Sequence, residues 1–218
     1  AGAAAALVAE RCDDPLPQIL VQDTLAALRA LGAARRRALR AAGRPVIAVT
    51  GSAGKTTTKN LLVHVLACPG SEGSFNNDLG VPLTLARTPA DAPALIVEIG
   101  MNAPGEIAPL SRLAEPDVAI VLNVLRAHRG AFDSDAAHRA EKLSIAAGLP
   151  EGGPLVVPEG LPLTELEGPD VRPIRFGAGP AADVRLVSAD PASFELVRSR
   201  GSLRLPWKVP GAHRRELA

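Results

Sequence analysis

The chain has no tyrosine, one tryptophan and four phenylalanines in 218 residues. So few aromatic faces exclude a base-stacking platform of the kind that holds single-stranded nucleic acid. Charge of one sign is also missing: 24 Lys and Arg against 23 Asp and Glu leave a net charge of +1, without the basic surplus that marks a nucleic-acid partner. Two cysteines, Cys12 and Cys68, are too few for a disulfide scaffold and lack metal-site spacing, which suits a reducing cytoplasm. No apolar run approaches the about 20 residues that cross a bilayer, so no membrane insertion is expected. The opening AGAAAALVAE has no basic leader and turns acidic at once, unlike a signal peptide. The chain also lacks an initiator methionine and reads as a piece of something longer, expected to act as a monomer.

What is present is an ordinary globular balance, 47% apolar and 22% charged, long enough for one core or for one domain and part of another. Residues 4–9 and 17–21 read as short strands. A helix follows over 22–43, with Asp23 as N-cap, Leu25, Leu28 and Leu31 on one side, and arginines on a solvated face. Gly43 and Pro45 stop it and mark an expected boundary, dividing the chain into 1–43 and 44–218. Strands and helices then alternate: VIAVT (46–50) before a helix over about 55–67, ALIVEIG (94–100) before PGEIAPLSRLA, and DVAIVLN (117–123) before a helix over about 134–148. Pro104 is placed for a first helical turn. Continuous apolar strands indicate a sheet covered on both faces, giving a doubly wound, mostly parallel α/β domain. From Gly152 the texture changes to short strands punctuated by Pro and Gly. An antiparallel or mixed edge is expected there, with a hairpin near Arg200 and Gly201.

The chemistry starts at VIAVTGSAGKTTTKNLL (46–62). A strand, a glycine turn and a helix start place backbone N–H groups and the positive helix end around an anion. Gly51, Ser52, Ala53, Gly54, Lys55, Thr56 and Thr57 therefore read as a phosphate cradle. Lys55 supplies a point charge and the Thr56 hydroxyl a Mg²⁺ ligand. Val49 stands where the longer G-x-x-x-x-G-K-[ST] pattern has its first glycine, so the fit is to the shorter G-x-x-G-K-T.

Glu98 interrupts an apolar strand near its carboxyl end, where a buried carboxylate needs a partner or a metal. Open α/β sheets bind ligands at that end of their strands. The alternative is a strand-end Glu reaching solvent or an Arg. Asn123 ends the next apolar strand, with His128 five residues on. Asn76 and Asn77, in SFNNDLG (74–80), offer donors and acceptors, though the cluster also suits turn chemistry. Lys142, in AHRAEKLSIAAGL, reads on its own as a solvated lysine.

Together, TGSAGKTTTK, SFNNDLGVPLTLAR, VEIGMNAPGEIAPLSRLAEPDVAIVLNV and the later lysine resemble the Mur ligases of peptidoglycan synthesis. Among them the FNNDLGVPLTL and EIGMNAPGEI strings are similar to the branch that joins D-Ala-D-Ala to UDP-MurNAc-tripeptide. The resemblance implies the tail of an N-terminal UDP-substrate domain in 1–43 and most of a central P-loop ATPase domain in 44–218. It implies ATP and two Mg²⁺ ions as cofactors, with UDP-MurNAc-tripeptide and D-Ala-D-Ala as substrates. It assigns Mg²⁺ to Thr56, Glu98 and His128, and makes Lys142 a carbamylated lysine that completes the metal ligands. Lys55, Glu98, His128 and Lys142 then form the catalytic set.

The chain departs from that family at several places. Leu125 and Gly130 replace the Gly and Glu around the family histidine, and Ser74 an Asn. Arg214 and Leu217 replace asparagines of a nucleotide-contacting stretch. The readings beside a ligase of this branch are a sibling ligase with another acceptor, such as a folate glutamate ligase, and a nucleotide-binding fragment without catalysis.

Overall fold

The computed structural model describes residues 3–125, 132, 134–190, 193–199 and 201–206. Two short strands, β1 (Ala6–Val8) and β2 (Gln18–Leu20), pair in parallel. Helix α1 (Thr24–Ala41) follows, and the Asp23 carboxylate accepts from Leu25 N–H and Ala26 N–H. These are donors that a helix start otherwise leaves unpaired. Among the described residues the main sheet has eight strands in the order β10-β9-β8-β7-β6-β5-β3-β4. They are β3 (Val46–Thr50), β4 (Leu95–Glu98), β5 (Val118–Val121), β6 (Gly153–Pro158), β7 (Val171–Gly177), β8 (Val184–Asp190), β9 (Ser193–Arg198) and β10 (Gly201–Pro206). All neighbours from β4 to β8 run parallel; only β8-β9 and β9-β10 are antiparallel. The mixed edge is therefore confined to the last strands, with the β9-β10 hairpin where the glycine predicts it. The fold is the doubly wound, mostly parallel α/β class read from the sequence.

The helices between the strands are α2 (Lys55–Leu66), α3 (Gly80–Arg87), α4 (Ile107–Ala114) and α5 (Asp135–Leu143), the last continued by a 3-10 turn over Ser144–Gly148. Strand alternation divides the core. Val46, Ala48, Leu95, Val97, Ala119 and Val121 pack with residues of α1, α3, α4 and α5. Ile47, Val49, Ile96 and Ile120 face the other way, with Leu62 and Val63 of α2. Glu98 has the parity of Ile96, so the pleat aims it at the side covered by α2.

Three readings are corrected. Leu31 of α1 is exposed; the inward stripe runs through Gly32, Arg36 and Leu39. At Gly32 an added Cβ would stand 3.0 Å from the Pro82 carbonyl oxygen, so α1 and α3 touch backbone to backbone. Arg36 is not on a solvated face. It is 1% exposed, donating through Nε and Nη2 to the Glu115 carbonyl (3.0 and 2.6 Å) and through Nη2 to Asp117 Oδ2 (2.9 Å). Asp117 Oδ2 also accepts from Val46 N–H, so α1, although read with the first unit, is bolted to the start of the central strands. Finally, Pro104 lies in a turn ahead of α4. The helix begins only at Ile107 because Gly105 takes the left-handed conformation (φ +87°), which breaks a helical start at Pro104; Glu141 accepts from Gly105 N–H and Ile107 N–H at that point.

Candidate active site

β3 connects outward to β4, whereas β5 connects the opposite way to β6. The crevice of such a sheet opens at the carboxyl ends of the two strands where the winding reverses, and the glycine turn leaves β3 there. Gly54 takes the left-handed conformation, φ +80°, as the N-cap of α2. A side chain would be strained at this point, which explains a glycine directly before Lys55. Asn123, at the end of β5, holds the turn from the side. Its Oδ1 accepts from Ser52 N–H and Ala53 N–H, both at 3.0 Å, and its Nδ2 donates to the Ala53 carbonyl. The Ser52 hydroxyl accepts from Leu125 N–H. Lys55 Nζ donates to the Gly51 carbonyl at 2.9 Å, folded back over its own turn. Thr57 is exposed in the first turn of α2.

The second group forms around Glu98, which is 1% exposed. It does not reach solvent and, among the described residues, pairs with no arginine. Oε2 accepts from the Thr56 hydroxyl at 2.9 Å, and Oε1 accepts from Asn76 Nδ2 at 2.8 Å. Gly100 makes room for this: a Cβ there would fall 2.7 Å from Asn76 Cγ. Asn77 is used differently. Its Oδ1 accepts from Leu79 N–H and Gly80 N–H, so it caps α3 and stands outside the Glu98 group.

Lys142 is 2% exposed, which corrects its reading as a solvated lysine. Burial, helped by the nearby charge of Lys55 and opposed by Glu141, pushes its pKa down to about 8. Its neighbour Glu141 fixes the depth of α5 by accepting from Gly105 N–H (2.7 Å) and Ile107 N–H (3.0 Å) at the start of α4. Arg139, on the same helix, donates to both Glu165 oxygens in the β6–β7 connection. His128 lies outside the described residues, as do Arg214 and Leu217.

Sequence reasoning missed Glu141, Ser71 and Lys59. Ser71 Oγ accepts from Glu98 N–H, and Lys59 is buried beneath the loop that carries Ser71. Nothing in their spacing sets them apart from surface residues.

The arrangement fits a nucleotide phosphate with Mg²⁺. Backbone N–H groups and a lysine converge at a helix start, beside a hydroxyl and a carboxylate that are already in contact, the hard oxygen donors Mg²⁺ takes.

The sequence profile of the Mur ligase middle domain matches residues 49–216. The UDP-N-acetylmuramoyl-tripeptide--D-alanyl-D-alanine ligase of Bacillus subtilis (strain 168) is 43% identical over 142 residues, 63% of this chain and 30% of the relative. The crystal structure of MurF from Acinetobacter baumannii superposes with a TM-score of 0.82 at 32% identity, covering 97% of this chain and 48% of that one. The MurF ligase from Thermotoga maritima in complex with ADP gives a TM-score of 0.80 at 26% identity, covering 99% and 52%. The chain thus spans about a third to a half of the length of these relatives. A family match over most of its residues, on a fold of the same kind, shows that this chain belongs to the Mur ligase family.

Proposed function

We propose that the chain is the nucleotide- and metal-handling part of a MurF-type ligase. That enzyme joins D-Ala-D-Ala to UDP-MurNAc-tripeptide in the cytoplasm, using ATP. The observation that carries this reading is the contact of Thr56 and Asn76 with the buried Glu98 carboxylate, beside a glycine turn that Asn123 holds. The activity named for the Bacillus subtilis relative gives the substrates. Residues 1–43 are the end of a UDP-substrate domain, and 44–218 most of the ATP domain.

The chemistry needs little from the protein beyond positioning and charge. A carboxylate oxygen of the tripeptide attacks the γ-phosphorus of ATP. A C(O)–O–P linkage forms, the bond to the β-phosphate oxygen breaks, and ADP leaves. The dipeptide amine then attacks the activated carbonyl carbon. A C–N bond forms, inorganic phosphate departs, and the amine proton passes to solvent. In this reading the amides of Gly54, Lys55 and Thr56 at the start of α2 hold the outer phosphates, Ser52 and Ala53 being tied to Asn123, and Lys55 Nζ exchanges the Gly51 carbonyl for a phosphate oxygen. Thr56, Glu98, His128 and a carbamylated Lys142 are the metal ligands. Mg²⁺ held there supplies the positive charge that offsets the phosphates during transfer.

The depressed pKa of Lys142 supports the carbamate, since only a neutral amine attacks CO₂. The ammonium first releases one proton, the neutral nitrogen then bonds to the carbon of CO₂ as a second proton leaves, and a cation thereby becomes an anionic oxygen ligand.

The test is phosphate release by the complete reading frame that contains this chain. It is given Mg-ATP and UDP-MurNAc-tripeptide, with and without D-Ala-D-Ala, beside a Lys55→Ala control. Release that requires the dipeptide and disappears in the control supports the ligase. Release with another acceptor moves the function to a sibling ligase, and binding without release to a nucleotide-binding module. The 218-residue chain alone is expected to bind Mg-nucleotide weakly and not to turn over; turnover by it would refute that division of labour.

A further inference from the structure

Lys59 is 3% exposed in α2, one turn past Lys55 and Thr56. Its Nζ donates to the Ser71 carbonyl at 2.7 Å and to the Gly73 carbonyl at 3.1 Å. A buried ammonium costs free energy unless its protons are used, and a methionine would fill the same space without that cost. Its two acceptors belong to the loop between α2 and α3, and that loop reaches Glu98 at two points. Ser71 Oγ accepts from Glu98 N–H at 3.1 Å, and Asn76 Nδ2 donates to Glu98 Oε1 at 2.8 Å. The loop also follows β4: Ser71 N–H donates to the Ile96 carbonyl, and Gly100 N–H to the Asn76 carbonyl. Helix α2 therefore holds Glu98 by two routes, the Thr56 hydroxyl on Oε2 and an ammonium-pinned loop on Oε1 and the backbone.

We propose that Lys59 is a positioning residue, which through the 71–76 loop sets the orientation of the Glu98 carboxylate for a divalent cation. The proposal rests on the reading of Glu98 as a metal ligand. A carboxylate fixed at both oxygens presents one geometry to the ion. Residues that orient a ligand in this way typically change metal affinity about 10- to 100-fold when lost.

The test measures binding, not turnover, on the complete reading frame. Affinity for a fluorescent ADP analogue is titrated against Mg²⁺ and, separately, in EDTA, and Mn²⁺ occupancy is followed by electron paramagnetic resonance. Lys59→Met is expected to raise the half-effective Mg²⁺ concentration about tenfold or more. Metal-free nucleotide affinity should stay within about twofold. Lys59→Gln, which keeps one donor, should fall between. In a Glu98→Gln background Lys59→Met should add nothing, because its effect passes through that carboxylate.

If Glu98→Gln leaves the Mg²⁺ dependence unchanged, the metal reading of Glu98 fails, and this proposal with it. If Glu98→Gln abolishes the dependence while Lys59→Met does not alter it, the proposal alone is overturned. Should Lys59→Met fail to fold, Lys59→Gln carries the same measurement. Failure of both to fold assigns Lys59 to stability and overturns the positioning role.

Discussion

The hydroxyl of Thr56, in the first turn of α2, donates to Oε2 of Glu98, the last residue of β4, at 2.9 Å. The contact joins the phosphate turn to the one carboxylate that the parallel strands bury at their carboxyl ends among the described residues. Helix dipole, lysine and carboxylate thereby share one crevice, and removing any of them has a distinct expected outcome.

Glu98→Gln keeps the shape and removes the charge. The Thr56 hydroxyl can turn to accept from the new amide while Asn76 still donates to the remaining oxygen, so the melting temperature should change little. On the proposed function, turnover by the complete reading frame should fall about 10²- to 10³-fold, the range for losing one charge-stabilising group. Steady-state kinetics beside thermal melts check this; turnover near wild type would remove Glu98 from the reaction.

Asn123→Ala deletes two accepted hydrogen bonds and one donated bond that hold the glycine turn. Nucleotide affinity should drop about tenfold, the value of about 1.4 kcal/mol for ordering the turn afresh. Titration with a fluorescent ADP analogue measures it.

Arg36→Met should destabilise the chain by about 2 to 3 kcal/mol, because it strands the Glu115 carbonyl and removes a charged donor from Asp117. Urea unfolding at neutral pH reads the loss. No effect would mean that α1 is not bolted to the central strands.

Lys142 gives a pH signature. Its folded pKa of about 8 lies below the ordinary 10.5, so between these values the unfolded chain binds more protons and stability rises with pH. Below about 8 both states are protonated and the cost of the buried charge is fully present. In CO₂-free buffer, Lys142→Met should therefore be the more stable protein at pH 7, its advantage shrinking from pH 8 to 10.5. Labelled bicarbonate should give a carbamate signal in ¹³C spectra of the wild type only.

Arg139 holds Glu165 well below the usual carboxylate range, at about 2. A depressed carboxyl stabilises the fold above its unfolded pKa, and the contribution is lost as pH falls from about 4.5 towards 2. Arg139→Gln should lower stability slightly at pH 7, where the contribution is fully present, and the difference from wild type should fade as pH drops from about 4.5 towards 2, as urea unfolding followed by circular dichroism across that range would show.

Much of this was legible in the residues. Continuous apolar runs marked β3, β4 and β5, and the Gly51–Thr56 spacing marked the phosphate turn. The residues of VPLTLAR alone do not mark α3, because a proline in so short an apolar run argues against a helix. In the structure Pro82 occupies the first turn, where its missing N–H costs nothing. Pro104 misled in the opposite direction: the next residue, Gly105, turns left-handed (φ +87°) and is tied to Glu141, a partner far along the chain.

The sequence by itself determined what short-range chemistry can specify: strand and helix periodicity, the Asp23 cap, and a glycine turn ahead of Lys55. These depend on neighbours a few residues away. Tertiary structure alone decided that Arg36, Lys59, Glu141 and Lys142 are buried. A charged side chain has the same local signature whether it meets water or a distant carbonyl. Only the packing of α1, α2 and α5 against the sheet supplies the partners, or the absence of water, that settles what each charge does.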